Sequence, residues 1–421
     1  MYTKLRINSR SFSFCLIVLV AAFSVPFISA QGDQKPLFQS SFIWRYFEGG
    51  YLRNHVHGLT LTTKGTVLAF SEGRIGPHDG DPVNLIMKRS TDLGVTWSNE
   101  TLIERTDGRF YEREGIEGKR EAWTNPATLV DKRTGRIFFF YALNEGSHQQ
   151  NWTRVFYRYS DDDGLTWQPK LRDKAIEITD LLKDNKNGWT FFMTGPGHGI
   201  QLEHQKGANA KKNGRLILQM WNRKAVNIRP RDYGVVLIYS DDGGKTWKRG
   251  AETQKFYGEN ESRIVELGDG RVLLNSRGSE AEDNSKRVDA RRSRIFTFSS
   301  DGGETFADPI LRPELNYTNI DSGLNRYVTR DGKECFIFTH PDDPARRIKM
   351  TASLSCDGLQ TWSHHKLIDE GRAAYSDVVI LPDNTIGVLY GSQQNTDGPA
   401  SFLPNGVKFV RFNYEWLTSK E

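Results

Sequence analysis

Cysteine is scarce in this 421-residue chain: there are three, and Cys15 falls within the first thirty residues. The other two, Cys335 and Cys356, are too few for a zinc site or a disulfide scaffold; they can form one bridge between neighbouring strands or remain two buried thiols. An excess of charge of one sign is also lacking. Lys4, Arg6 and Arg10 precede the apolar run Phe14–Phe23, and Ile28-Ser29-Ala30 offers small residues for cleavage, so residues 1–30 read as a secretory signal. A spanning helix is the competing reading, which Pro26 and the return to polar Gln31-Gly32-Asp33 disfavour. Removing that segment takes three of 57 basic residues and none of 52 acidic ones, leaving 54 − 52 = +2. The basic residues are scattered among acids rather than gathered in a stripe, which excludes a nucleic-acid partner. At 37% hydrophobic and 26% charged the chain is too polar for a membrane transporter, while 10 Trp, 15 Tyr and 24 Phe exclude disorder. The expectation is a secreted or periplasmic monomer without stable membrane insertion, in which residues 31–421 form one domain.

What the chain does have is a repeat. The octet Ser-x-Asp-x-Gly-x-Thr-aromatic occurs at Ser90–Trp97, Ser160–Trp167 and Ser240–Trp247, with weaker copies at Ser299–Phe306 and at Ser355–Trp362, where Leu359 stands for the glycine. In each, the Asp can cap backbone amides, the Gly can take positive φ and the aromatic can fold back between strands, which together make a hairpin turn. Alternating β-rich runs precede them, and their starts lie 70, 80, 59 and 56 residues apart, room for a four-stranded sheet with loops. Five marked units and one unmarked unit predict an all-β, six-bladed β-propeller. A calcium loop is the alternative for such octets, but the spaced oxygen ligands and terminal Glu are missing.

These octets resemble the Asp boxes (BNR repeats) of the sialidase, or neuraminidase, superfamily. The resemblance extends over nearly all of residues 31–421, through Thr66–Arg74, Asn125-Pro126, Gly195–Leu202, Asn260–Arg263, Leu274–Arg277 and Ala374–Pro382. It implies a Tyr nucleophile, a Glu that takes its proton, an Asp acid/base and three Arg that hold the substrate carboxylate. Carried onto this chain, these are Tyr375, Glu261 and Asp79, with Arg277 and Arg347 as two of the arginines; Arg74, at the end of the first matching segment, joins the substrate-binding candidates. A neutral Tyr suits an anomeric carbon bearing a carboxylate, which would repel a carboxylate nucleophile. Each position has a plainer alternative: Asp79 or Asp81 can cap a turn, Glu261 can be a solvated residue, Tyr375 an ordinary strand aromatic, and a one-residue slip exchanges Arg347 for Arg346.

Two departures from the family pattern go together. Where the first carboxylate-binding Arg is expected, the chain has His55-Val56-His57, and where its bracing Glu is expected it has Gly391 after Tyr390. Arg53 can restore the contact if the strand extends that far, and His55 and His57 can share one strand face, as ligands, as a base at His55, or as hydrogen-bonded structural histidines. The resemblance implies an exo-glycosidase that releases a terminal acidic sugar from a glycan without cofactor or metal. The alternatives are a lyase or dehydratase acting on uronic-acid oligosaccharides, with a His55 or Tyr375 base, and a non-catalytic glycan-binding propeller.

Overall fold

Runs such as Val67–Phe70 and Ile137–Tyr141 are buried at every position, which suits strands packed between layers rather than a sheet with one wet face. The structure, a computed structural model, describes residue 1 and residues 34–115, 121–144, 152–224, 232–253, 258–278, 293–315, 317–393 and 404–420. The expected signal falls, but for Met1, outside the described residues. The chain divides into two units, Met1–Gln34 and Lys35–Glu421, and every strand among the described residues belongs to the second. Among the described residues no helix is long and apolar enough to cross a membrane.

The second unit is all-β, and its strands pair antiparallel with their sequence neighbours. Arg53–Leu61, Val67–Arg74, Val83–Ser90 and Thr101–Glu104 form one run, and Ala122–Val130, Ile137–Asn144, Thr153–Ser160 and Ile176–Glu177 a second, joined where Val83 meets Ala122. A five-stranded sheet is built around Leu216–Arg223, with Phe191–Thr194, Ile200–Gln201, Gly234–Ser240 and Lys248–Glu252. Ser262–Glu266, Val272–Arg277, Arg294–Ser299 and Ile310–Arg312 make a four-stranded sheet. In the last sheet, of seven strands, residues 364–372 of the long strand His364–Ile380 pair with Ile348–Ser355, while residues 373–380 pair with Ile386–Ser392. Phe38–Trp44 closes this sheet against Gly406–Phe412. Apolar clusters fill the spaces between runs, with Phe70 and Met87 against Phe139 and Tyr141, and Val67 and Ile86 against Val379 and Phe409.

The five octets are turns of one construction. In the first, Ser90 Oγ donates to Asp92 Oδ1 at 2.7 Å and accepts from Gly94 N at 2.8 Å, while Asp92 accepts from Thr96 N and Oγ1 at 2.9 and 2.5 Å. The Asp–Thr pattern recurs at Asp162, Asp242, Asp301 and Asp357. Gly94 has φ 87°, and a Cβ there would overlap the Phe409 ring, so both conformation and space demand glycine. At the fifth turn Leu359 itself adopts φ 68° and buries its side chain with Phe336 and Leu315. Cys335 and Cys356 form a disulfide between adjacent strands, which settles the choice their number left open.

A buried charge cluster lies among the strands nearest the candidate site. Arg263 Nη2 lies 2.6 Å from Asp321 Oδ2 and donates to the Ser376 carbonyl at 3.0 Å, Nη1 donates to the Pro196 carbonyl, and Nε is 3.5 Å from Asp377 Oδ1. Asp377 also accepts from Leu59 N at 2.8 Å and lies 2.9 Å from His198 Nδ1. Gly197 leaves room for this guanidinium, since a Cβ there would overlap Arg263 Cζ. Removing the cation takes the ion-pair partner from wholly buried Asp321 and leaves Asp377 only its contacts to Leu59 and His198. Arg263→Met is expected to cost about 3–5 kcal/mol of unfolding free energy, read by chemical denaturation; a loss under about 1 kcal/mol, the range of a surface pair, would show that the cluster does not hold the strands.

Candidate active site

Register places the candidate residues at one end of the strands. Arg53 pairs with Arg74, which pairs with Val83, whereas the other end is Leu61, Val67 and Ser90, where the first Asp box begins. Glu261 precedes Ser262–Glu266, Arg277 ends Val272–Arg277 and Arg347 precedes Ile348–Ser355, all at the ends away from the boxes. Four non-glycine residues here have positive φ: Val56 (50°), Asn125 (55°), Lys349 (62°) and Tyr375 (42°). Each falls at a break in strand register. Such bulges re-aim side chains out of simple alternation, at a backbone cost of about 1–3 kcal/mol each.

Tyr375 is the centre of the cluster. Its hydroxyl donates to Glu261 Oε1, and Glu261 Oε2 lies 2.5 Å from Arg277 Nη1, itself 3.5 Å from the Tyr375 oxygen. Asn319 ties the two arginines together, its side-chain oxygen accepting from Arg277 Nε and its carbonyl from Arg347 Nη2 at 3.2 Å. The Arg347 guanidinium stands 6.0 Å from the Tyr375 ring centre. Arg346 instead points outward, 70% exposed and paired with Asp343, so of the two it is Arg347 that lies beside Asn319 and Tyr375. Burial pushes the Tyr375 hydroxyl well above its ordinary range and Glu261 adds to this, against the opposing pull of Arg277 and Arg347. The phenol is therefore neutral, and Glu261 is placed to receive its proton.

Arg74 organises the other side. It lies 2.6 Å from both Glu72 Oε2 and Asp79 Oδ1. Glu72, which sequence reasoning missed, is wholly buried and accepts from Thr124 Oγ1 and from Asn125 N at 2.9 Å; a charged pair at alternate positions ending an apolar strand was its only signal. Asp81 caps the loop by accepting from His78 N at 2.8 Å, which leaves Asp79 to face Arg74. The Arg74 charge holds the Asp79 carboxyl below its ordinary 3.8, an effect weakened by water because the Asp79 side chain is 70% exposed. Arg53 is buried beside this pair, and burial, with the Arg74 charge, lowers its pKa.

The two histidines have different surroundings. The His55 ring rests on Tyr375 with centroids 4.6 Å apart, and burial, reinforced by Arg74, His57, Arg347 and Arg53, holds it well below 6.5. His57 is completely enclosed, its Nδ1 3.2 Å from Ser71 Oγ. A Cβ on Gly391 would lie 3.2 Å from His57 Nε2 and 2.8 Å from the Ala374 carbonyl. Gly391 and His57 are thus packed against each other. A separate cavity of about 320 Å³ opens where the same strands end near the boxes, between Thr60, Gln201, Glu266 and Arg326, and none of the candidate residues lines it.

Residues 65–388 match the BNR repeat-like domain. The chain is a BNR repeat-like member of the sialidase superfamily. It is 30% identical over 401 residues to a sialidase of Micromonospora viridifaciens and 28% identical over 359 residues to a sialidase of Bacteroides fragilis, alignments covering 91% and 80% of this chain. It spans 55% and 59% of those proteins' lengths. Among solved structures, the Hadza microbial sialidase Hz136 superposes with a TM-score of 0.71 at 22% identity, covering 90% of this chain and 69% of that one. The intramolecular trans-sialidase of Ruminococcus gnavus superposes at 0.70 and 19% identity, covering 90% and 99%. At these identities the superpositions speak for the fold.

Behind Glu261 in this superfamily chain lies a second carboxyl that sequence reasoning also missed. Glu259 is fully enclosed and accepts from Thr297 Oγ1 at 2.8 Å, with the Thr253 and Ser276 hydroxyls close enough to act on its charge. Burial raises its pKa from 4.5 to about 7, with the three hydroxyls pulling weakly the other way. The folded value exceeds the unfolded one, so this group's stabilisation is complete below 4.5 and is lost as pH rises through about 7. Glu259→Gln is expected to flatten that loss in thermal unfolding measured from pH 4 to pH 8; an unchanged pH profile would mean that Glu259 is ionised throughout.

Proposed function

We propose that the protein is a sialidase-like exo-glycosidase that removes a terminal acidic sugar, a sialic acid or related ulosonic acid, from a glycan. The observation that carries this reading is the hydrogen-bonded set Tyr375–Glu261–Arg277. A neutral phenol with its own carboxylate acceptor is a nucleophile suited to a carbon that already bears a negative group. Arg277 and Arg347 hold the substrate carboxylate, as paired guanidinium forks do. As the Tyr375 oxygen bonds to the anomeric carbon, Glu261 takes its proton, the bond to the leaving oxygen breaks, and protonated Asp79 gives that oxygen a proton. Asp79 then takes a proton from water, whose oxygen attacks the same carbon; the Tyr375 bond breaks and Glu261 returns the proton. Two displacements retain the anomeric configuration.

Elimination at a uronic acid is supported less well. A His55 base would have to become a buried cation facing Arg74, Arg347 and Arg53, the arrangement that already holds it neutral. A purely glycan-binding protein would have no use for a Tyr–Glu proton pair. The reading needs no cofactor. It further takes the four-stranded runs as six propeller blades, closed by Phe38–Trp44 on Gly406–Phe412 and with residues 364–380 shared between two blades, and residues 1–30 as an export signal.

Tyr375→Phe is expected to keep the fold and abolish turnover of a sialoside; full retained activity would remove Tyr375 as nucleophile. Asp79→Asn is expected to slow release from sialyllactose, a poor leaving group, on the order of 10²–10⁴-fold, and from an aryl sialoside far less. Equal losses on both would take the acid/base role from Asp79.

A further inference from the structure

A second cavity, of about 670 Å³, opens between the Thr153–Ser160 and Phe191–Thr194 strands and the short helix Thr179–Lys183. Its size suits a small-molecule ligand of more than one ring. The floor is apolar and rigid. Phe192 and Trp189 are almost wholly buried, and Trp189 Nε1 donates to the Asp232 carbonyl at 3.0 Å. Trp152, half-buried at the wall, is held edge-on by Tyr111 at 6.1 Å.

The rim is charged but balanced. Arg154 is paired to both oxygens of Glu177, and Lys183 lies 2.7 Å from Asp180 Oδ1. With Glu114 also bound to Arg154 at 3.2 Å, both cations are already engaged by anions and leave no free positive charge for an anionic ligand, while together the rim groups offer both donors and acceptors. An indole platform with a neutral, hydrogen-bonding rim suits the C–H faces and hydroxyl groups of an uncharged sugar.

The cavity is connected to the acid/base side of the candidate site. Phe192 stands two residues, about 7 Å along a strand, from Thr194, whose side chain binds the Asn125 carbonyl. Asn125 N in turn donates to Glu72, the carboxylate that holds Arg74 beside Asp79. We propose that this cavity binds neutral, hydroxylated sugar residues, the non-acidic part of a glycan whose terminal acid occupies the Tyr375 site. The placement of the terminal acid rests on the hydrolase reading; the binding of neutral sugar does not.

The probe is lactose, titrated calorimetrically into the whole Tyr375→Phe protein, in which turnover cannot intervene. Saturable millimolar binding is expected. Trp152→Ala should weaken it about tenfold or more, the loss of one good contact, and Trp152→Phe should restore most of it. Thr190→Trp, at an exposed position on the wall, fills the space without removing any packing and should also abolish binding. No saturable binding, or binding indifferent to both Trp152→Ala and Thr190→Trp, would overturn the proposal. If sialosides are not cleaved by the unaltered protein yet lactose binds in this way, the hydrolase reading fails and the sugar site stands; cleavage without lactose binding has the reverse meaning.

Discussion

The Tyr375 side of the candidate site is built on the guanidinium of Arg263. It is buried to 1% exposure, and its partners Pro196, Asp321 and the adjacent Ser376 and Asp377 come from three separate segments of the chain. Asp377 extends the cluster to Leu59, and so to the strand that carries His55 and His57. Glu261 lies two residues before Arg263, and Tyr375 directly precedes Ser376. The Tyr375–Glu261 pair is therefore held from two directions, by this charge cluster next to both in the chain and by the apolar packing of Tyr375 with Val56, Ile320 and Ala374. Charges in a water-free interior repay their desolvation only in good geometry. That requirement gives positional accuracy, and Gly197 is the local concession in backbone that makes it possible.

Above this cluster, charge is distributed so that the reacting groups keep different protonation states. Tyr375 is buried and neutral, and Glu261 is matched by Arg277. Asp79 is exposed and held ionised by Arg74, which Glu72 anchors from within. An ionised Asp79 is ready to activate water but must acquire a proton before it can donate one. On the proposed double-displacement reading the two sides serve different halves of the reaction, and their difference arises from burial at one carboxylate's partner and solvent exposure at the other.

Much of this could be read from the residues. The Asp boxes announced hairpin turns through paired chemistry, a capping Asp and a Gly that must accept positive φ, and four of the five turns carry such a glycine; Leu359 shows that the turn can impose the conformation when burial compensates. Tyr375, Glu261, Arg277, Arg347 and Asp79 were legible only through resemblance to a family, because Tyr in a strand or Asp in a loop carries no signal of its own. Glu72 left only the faint mark of a charged pair with Arg74 at the end of an apolar strand, and Glu259, Asn319 and Arg263 left none. Their roles come from contacts between segments remote in sequence, or from enclosure, and neither leaves a local pattern. The alternation rule also misled about the histidines, since Val56 at φ 50° interrupts the strand between them and gives one ring to Tyr375 and the other to Ser71.

The same bulge bears on what position 55 can hold. A guanidinium at 55 would sit against Tyr375 among Arg53, Arg74 and Arg347, and would require an anion for company. The residue from which that anion would come is Gly391, and a Cβ there already collides with the Ala374 carbonyl and approaches His57. With His57 filling that space, position 55 can hold only a group that remains uncharged under burial, and a neutral imidazole meets the condition. Position 55 therefore presents, beside Arg277 and Arg347, a neutral ring that can donate one hydrogen bond and accept another.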